Sequence, residues 1–376
     1  MVLKDLESFT NDLSLSKTFA ETHDVTFGWY QSSFSADDFW TIGNPIAVHN
    51  SQNGDVLSAN ITPADIAAAG GDGGFMFGLA SRGEADVTAY YIADSWHVND
   101  QLTVELGVRY EEIEIDYQLD TGPGFPDGTR DMDVFLDGDE VATTAAIDYR
   151  INDELGVFVR YSDGFSWPHF DSIREGVQSV FGVKQLEGGI KYSNDWLRAY
   201  ATLYRNQTDA FNSVVGSSVS SSAFETEATG VELEGELFIS DQFSTVFGAT
   251  LQNAEITASQ NGNVGNTVLR QPDFQIRVSP QYELDLGGGY QATLYGALSY
   301  VGDRYGDNAN TVDLPSFEKV DLGVILNSDA GFFVQLHGDN ITDSDGITEG
   351  DPRNPLAPNG RPIFGRSVKL SIGYDF

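Results

Sequence analysis

Alternation with a period of two runs through this chain, in stretches longer than soluble strands need. In residues 102–110, Leu102, Val104, Leu106, Val108 and Tyr110 fall on one face, and Thr103, Glu105, Gly107 and Arg109 on the other. In residues 231–237, Val231, Leu233, Gly235 and Leu237 alternate with Glu232, Glu234 and Glu236. Matching runs occur at 155–161, 274–284, 292–300, 320–326 and 332–336. The chain also ends on one: Val368, Leu370, Ile372, Tyr374 and Phe376 against Ser367, Lys369, Ser371, Gly373 and Asp375. A period of two belongs to strands, not helices. About fifteen such segments of roughly 10–16 residues can be counted, about twice the mean soluble strand. That is long enough for a tilted strand to cross a bilayer.

The connections sort into two kinds. One set is short and rich in Asn, Asp and Gly: 20–24, 97–100, 151–153, 193–195, 240–242, 285–289 and 327–331. These are the residues of tight hairpins. The other set is long: 34–83, 117–139, 166–180, 211–221, 258–268, 304–315 and 344–363. The two kinds alternate strictly, so every tight turn falls at the same end of the sheet. A soluble sandwich has no reason to sort its loops this way. An outer-membrane barrel does, with short periplasmic turns and long external loops. The expected fold is therefore all-β, a transmembrane antiparallel β-barrel. A short helix is expected near 63–69, within the longest loop. Aromatic girdles are expected at Trp96, Tyr110, Tyr161, Tyr192, Tyr282 and Tyr300, because rings at strand ends suit the headgroup level.

Composition excludes several alternatives. The net charge of −37, from 57 acidic and 20 basic residues, argues against nucleic-acid binding, which needs a basic face. Cysteine is absent, so no disulfide, thiolate metal site or thiol nucleophile exists. No apolar run is long enough for a membrane helix, and the N-terminal residues lack the basic-then-apolar pattern of a signal peptide. A true N-terminus upstream of Met1 is one explanation of the missing signal peptide. An acidic soluble all-β protein remains an alternative, as does a passive porin-like channel.

Catalytic chemistry is not written in the sequence. There is no phosphate-binding loop, no H-E-x-x-H and no nucleophile elbow, and the "GGDGG" at 70–74 lacks the lysine and strand–helix context of a nucleotide site. His23, His49, His97, His169 and His337 are scattered. No cofactor is expected and no enzyme activity. Glu232, Glu234 and Glu236 read as lumen-facing carboxylates rather than a catalytic cluster. Asp131, Asp133, Asp137 and Asp139 form a weak calcium candidate on the 117–139 loop, with a solvated acidic loop as the stronger reading. Ligand contact is assigned to aromatic and cationic residues of external loops: Trp40, Trp167, His169, Phe170, Arg304 and Tyr305. Packing of the loops on one another explains the same residues equally well.

Several stretches resemble one family. "LPSFEKVDLGVIL", "GFFVQLHGDNITD" and "GRPIFGRSVKLSIGYDF" are similar to the C-terminal barrel of the TonB-dependent outer-membrane receptors, with Asp321, Asn340, Asp343 and Phe376 at the matching places. "AYYIADSWHVNDQLTVELGVRYEE" and "VFVRYSDGFSWP" resemble its middle hairpins. The resemblance implies an outer-membrane location in a Gram-negative cell, in contact with lipid and lipopolysaccharide. It implies uptake of a scarce small nutrient (a ferric chelate, a cobalamin-like compound or a glycan) driven by TonB through a plug domain. Tyr374 and Phe376 would form the signal read by the barrel-assembly machinery. The chain also departs from the family. Residues 1–376 read as a partial barrel with no plug domain, about fifteen of the family's roughly 22 strands. An open sheet cannot rest in lipid, so a gene fragment or a chain needing a partner is expected.

Overall fold

The computed structural model describes residues 2–43, 49–50, 56–58, 76–122, 130–212, 222–259, 262–351 and 359–374. The expected helix at 63–69, the glycine cluster at 70–74 and Phe376 lie outside them. One antiparallel sheet of 15 strands dominates, each strand paired with its neighbours in the chain. The strands are β1 (Val2–Phe19), β2 (His23–Gly43), β3 (Met76–His97), β4 (Leu102–Gly122) and β5 (Met132–Arg150). Then come β6 (Leu155–Ser166), β7 (Phe181–Ser193), β8 (Leu197–Asn212), β9 (Ser222–Ser240) and β10 (Phe243–Ser259). The last are β11 (Phe274–Gly287), β12 (Tyr290–Val301), β13 (Phe317–Ser328), β14 (Phe332–Asp339) and β15 (Ser367–Tyr374).

The short and long connections alternate as expected, and one local device recurs at the short end. Asn99, Asn152 and Asn194 each accept two backbone N–H groups from residues two and three positions on. Ser240 does the same through its hydroxyl. Such side chains mimic a turn of backbone and hold the hairpin closed.

Register gives each face its chemistry. On the outer face, Leu102, Val104, Leu106, Val108 and Tyr110 of β4 lie beside Trp96, Ile92 and Tyr90 of β3 and Tyr149, Ile147 and Val141 of β5. The band continues through Leu233 and Val231, Leu298 and Leu294, and Leu370 and Ile372, all exposed. Nine residues at ~3.4 Å each, tilted by about 40°, rise roughly 23 Å, close to the apolar height of outer-membrane barrels. Every expected girdle residue lies on this face. Trp96, Tyr192 and Tyr282 stand toward the short turns, and Tyr110, Tyr161 and Tyr300 toward the long loops.

Above the band, the strands continue and the alternation inverts. In β4 the outer positions become Glu112, Glu114 and Asp116, while Ile113, Ile115, Tyr117 and Leu119 turn apolar side chains inward. The expected long loops at 34–83 and 117–139 are therefore partly strand: β2 extends to Gly43, β3 starts at Met76, β4 extends to Gly122 and β5 starts at Met132. The inward set forms the main core, with Leu79, Ala85, Val87 and Ile173. Ile173 belongs to a short helix, α1 (Phe170–Arg174), in the long connection after β6. Two ribbons, Arg304–Tyr305 with Asp313–Leu314 and Ile347–Asp351 with Asn359–Pro362, organise two further loops. Among the described residues, β1 and β15 each have a neighbour on one side only.

Candidate functional site: the inner wall and its mouth

Arg109 is the centre of the inner wall below the core. It lies over the Tyr30 ring at 5.0 Å and the Tyr91 ring at 6.0 Å, and its Nε donates to Glu111 at 2.8 Å. Glu111 is buried and also accepts the Trp167 indole N–H at 2.8 Å. On the other side, the Tyr91 hydroxyl donates to Asp12 of β1 at 3.0 Å. Tyr91 reaches that far because β2 has a glycine opposite it: a Cβ on Gly28 would stand 1.9 Å from the ring. One polar chain thus runs from β1, across β2 to β4, and up to the segment that carries α1. Asp12, Tyr91, Arg109, Thr144, Ser162 and Gln185 line a cavity of about 650 Å³ on this wall, within the size range of small-molecule sites.

The segment above the cavity is held firmly. Phe170 stacks on Tyr117 at 5.8 Å and leans on Phe34 at 5.5 Å. It also covers Gly83, where a Cβ would meet its ring at 2.6 Å. Ser172 and Ile173 are fully buried, and Arg174 lies over Trp40 at 5.1 Å. His169 caps α1 by accepting the Ser172 N–H at 3.1 Å and remains exposed. Of the expected ligand contacts, then, Trp40, Trp167, His169 and Phe170 come together, but three of them pack the mouth segment against the wall. Arg304 is elsewhere and is buried at 6% exposure. Its guanidinium donates to the carbonyls of Gly302 and Ile347 and lies over Phe317. Burial lowers its pKa from the usual guanidinium value. The adjacent Tyr305 sits in the ribbon, its carbonyl accepting the Arg270 N–H at 2.6 Å. Arg304 ties loops together and does not present a free cation to a ligand.

Glu232, Glu234 and Glu236 lie on the inner face of β9, with Gly248, Gln275 and Arg277 beside them. Glu236 pairs with Arg198 of this chain at 3.9 Å. Other inner cations are matched in the same way: Arg160 with Glu105 and Glu187, Lys191 with Asp148, and Lys319 with Asp321 and Asp339. Glu232 and Glu234 have no ion pair among the described residues. Asp133, Asp137 and Asp139 stand on the outer face of strand β5 rather than on a loop, and Asp131 accepts the Thr121 N–H at 2.7 Å. Among the described residues no three acidic or imidazole side chains converge as metal ligands. Tyr374 is an exposed outer-face residue of β15.

Tyr91, Arg109 and Glu111 are not among the residues the sequence marks for ligand contact. A cation at an inward position facing tyrosines on adjacent strands was the available signal, but only register brings those residues together.

Known proteins match this arrangement. The family model described as TonB dependent receptor-like, beta-barrel, covers residues 3–341. The ferrioxamine receptor of Yersinia enterocolitica is 26% identical over 294 residues, which is 75% of this chain and 38% of that protein. The ferrioxamine B receptor of Salmonella typhimurium is 28% identical over 265 residues, 68% of this chain and 36% of that protein. Among solved structures, the ferric yersiniabactin uptake receptor from Yersinia pestis aligns with a TM-score of 0.78 at 17% identity, over 100% of this chain and 55% of that one. The siderophore receptor PiuA from Acinetobacter baumannii gives 0.78 at 17%, over 99% and 56%. This chain therefore spans 38% and 36% of the two curated receptors and about half of each solved one. With the sheet, its apolar band and the sorted loops already in place, the match over residues 3–341 settles the family: the chain belongs to the TonB-dependent receptor β-barrels of the Gram-negative outer membrane.

Proposed function

We propose that this chain supplies the barrel wall of a receptor that takes up a small ferric chelate, with energy coupled through TonB and a plug domain. The observation that carries this reading is the cavity of about 650 Å³ on the inner wall, with Arg109 between two tyrosines and the α1 segment fixed above it. Its size suits a chelate, and its aromatic and hydrogen-bonding lining suits recognition. Of the relatives described above, those named for a cargo are receptors for ferrioxamine, ferrioxamine B and ferric yersiniabactin.

The chelate is neutral or cationic on this reading. Arg109, Arg160, Arg198, Lys191 and Lys319 of the inner wall are paired with carboxylates, Glu232 and Glu234 add negative charge, and the chain carries −37 overall. A wall of one sign raises the local concentration of the opposite sign and repels its own.

The test is uptake of radio-iron by cells with and without the gene, supplied as a cationic hydroxamate chelate, a neutral one or an anionic catecholate. Loss of hydroxamate uptake on deletion, and the same loss when TonB is removed, is the expected result. Uptake unchanged for all three, with loss of a vitamin or oligosaccharide instead, would sink the iron reading. Passage independent of TonB would favour the porin-like alternative.

A further inference from the structure

Charge is scarce on the lipid-facing side near the short turns. Among the described residues, the outer-face strand positions closest to those turns carry, besides tyrosine, only Lys17, His23 and Asp94 as ionisable side chains. These lie together on β1, β2 and β3. Register fixes their face: Lys17 is opposite Val25, Val25 opposite Asp94, and Asp94 opposite Leu106 of the apolar band. His23 lies between Phe19 and Trp96 in the next row toward the turns. An ionisable side chain facing lipid is costly at depth and tolerated at the interface, and either way it calls for a partner.

The three present opposite chemistry side by side. Lys17 leans toward the turns, with Nζ over the Phe19 ring at 5.1 Å, as a lysine does when its ammonium reaches for the headgroup level. His23 stacks on Trp96 at 5.3 Å with the rings 9° apart. Its Nδ1 stands 2.8 Å from Asp94 Oδ2. A carboxylate only accepts, so Nδ1–H donates, and the neutral ring then offers Nε2 as an acceptor. Asp94 Oδ1 has no donor among the described residues, so the carboxylate charge is only partly met by protein. A cation on β1 thus stands beside acceptors on β2 and β3, with neighbouring strands about 4.8 Å apart.

We propose that this rim binds a zwitterionic phospholipid headgroup of the periplasmic leaflet, phosphoethanolamine in class. Lys17 takes the phosphate. The ammonium, one ethylene unit away, meets His23 Nε2 and the charge of Asp94, with the Trp96 ring beside it. An anionic headgroup would be repelled by Asp94, and a cationic one by Lys17; the zwitterion suits both. The site depends on the outer-membrane placement and not on the cargo.

The protein is purified from native outer membranes in mild detergent, and its retained lipids are identified by native mass spectrometry. The unaltered protein should carry a two-chain phosphoethanolamine lipid. Lys17→Gln and His23→Phe should each lower its retention about tenfold, the worth of one charge-assisted contact. His23→Phe keeps a ring on Trp96. Lys184→Gln removes an outer-face cation at the long-loop end, paired with Asp163, and should change nothing. A heat-dependent gel shift of unboiled protein shows that each variant has folded. Where a variant does not fold, the unaltered protein still decides. Once delipidated, it should take back phosphatidylethanolamine about tenfold better than phosphatidylglycerol or diacylglycerol. Equal recovery of these lipids overturns the proposal. So does phosphoethanolamine lipid that stays bound in both Lys17→Gln and His23→Phe, or lipopolysaccharide as the lipid that Lys17→Gln loses.

Discussion

Single residues decide whether the wall packs, and the glycines show how magnitude depends on what stands in the way. At Gly28 an added Cβ meets only the Tyr91 ring, the far end of a side chain that can swing away. At Gly189 it meets the Ala201 carbonyl oxygen at 2.4 Å as well as the Phe158 ring, and backbone cannot swing. Gly189→Ala should destabilise by about 2–3 kcal/mol and Gly28→Ala by about 1 kcal/mol, the range of overpacking, measured by urea unfolding in detergent micelles. Gly28→Ala should also release Tyr91 from Asp12, so a ligand site that needs this chain weakens in Gly28→Ala more than in Gly189→Ala. Asn340 is a second such residue. It is fully buried at a positive φ of 46° and bonds the Ser344 and Phe364 carbonyls, the Ser344 N–H and Asp321. Asn340→Ala leaves several of these groups unmatched and should cost about 2–3 kcal/mol, read as faster trypsin cleavage after Arg366. Asn340 was visible in the sequence through its motif. The burial of Arg304 was not, because nothing local distinguishes an arginine that ties loops from one that meets a ligand.

Elements carry the membrane boundary in the phase of their alternation. In β4 the apolar set moves from even positions, Leu102 to Tyr110, to odd positions, Ile113 to Leu119. The switch marks where lipid outside gives way to water, and where a packed interior begins. The first phase is plain in the sequence of eight of the fifteen strands, and with the sorted loops it is enough to indicate the fold. The inverted phase reads as loop, since an acidic outer row at 131–140 resembles solvated turn more than wall. The signals available were the period-two runs Ile113, Ile115, Tyr117, Leu119 and Met132, Val134, Leu136. If the boundary is right, Leu106→Arg and Glu114→Arg, on the same face of the same strand, should behave oppositely. Leu106→Arg should cost about 2–4 kcal/mol near the bilayer centre and reduce assembly into vesicles. Glu114→Arg should leave folding within about 0.5 kcal/mol and remove repulsion from Asp86 and Asp137 beside it. Equal losses in the two variants would place the boundary elsewhere.

At the scale of the molecule, charge was the most legible quantity and the least located. The total of −37 is a property of composition; its division between an outer acidic row above the lipid band and a mostly paired inner wall needed the register. That division makes a salt prediction. Fields from the unpaired Glu232, Glu234 and the outer row reach approaching solutes over a distance set by the Debye length, about 30 Å at 0.01 M salt and about 10 Å at 0.1 M. Binding of a cationic ferric chelate to outer-membrane vesicles should fall several-fold between those salt concentrations. A neutral chelate of equal size should bind unchanged, and an anionic one should bind better as salt rises. The pair Glu232→Gln, Glu234→Gln separates the two sources of field. If the inner wall does the steering, the double variant loses most of the salt dependence for the cationic chelate. If the outer row does, the slope survives and falls only when Glu112, Glu114 and Asp116 are neutralised. An anionic chelate that binds best at low salt in the unaltered protein would contradict steering by either wall, and with it the reading of a neutral or cationic cargo.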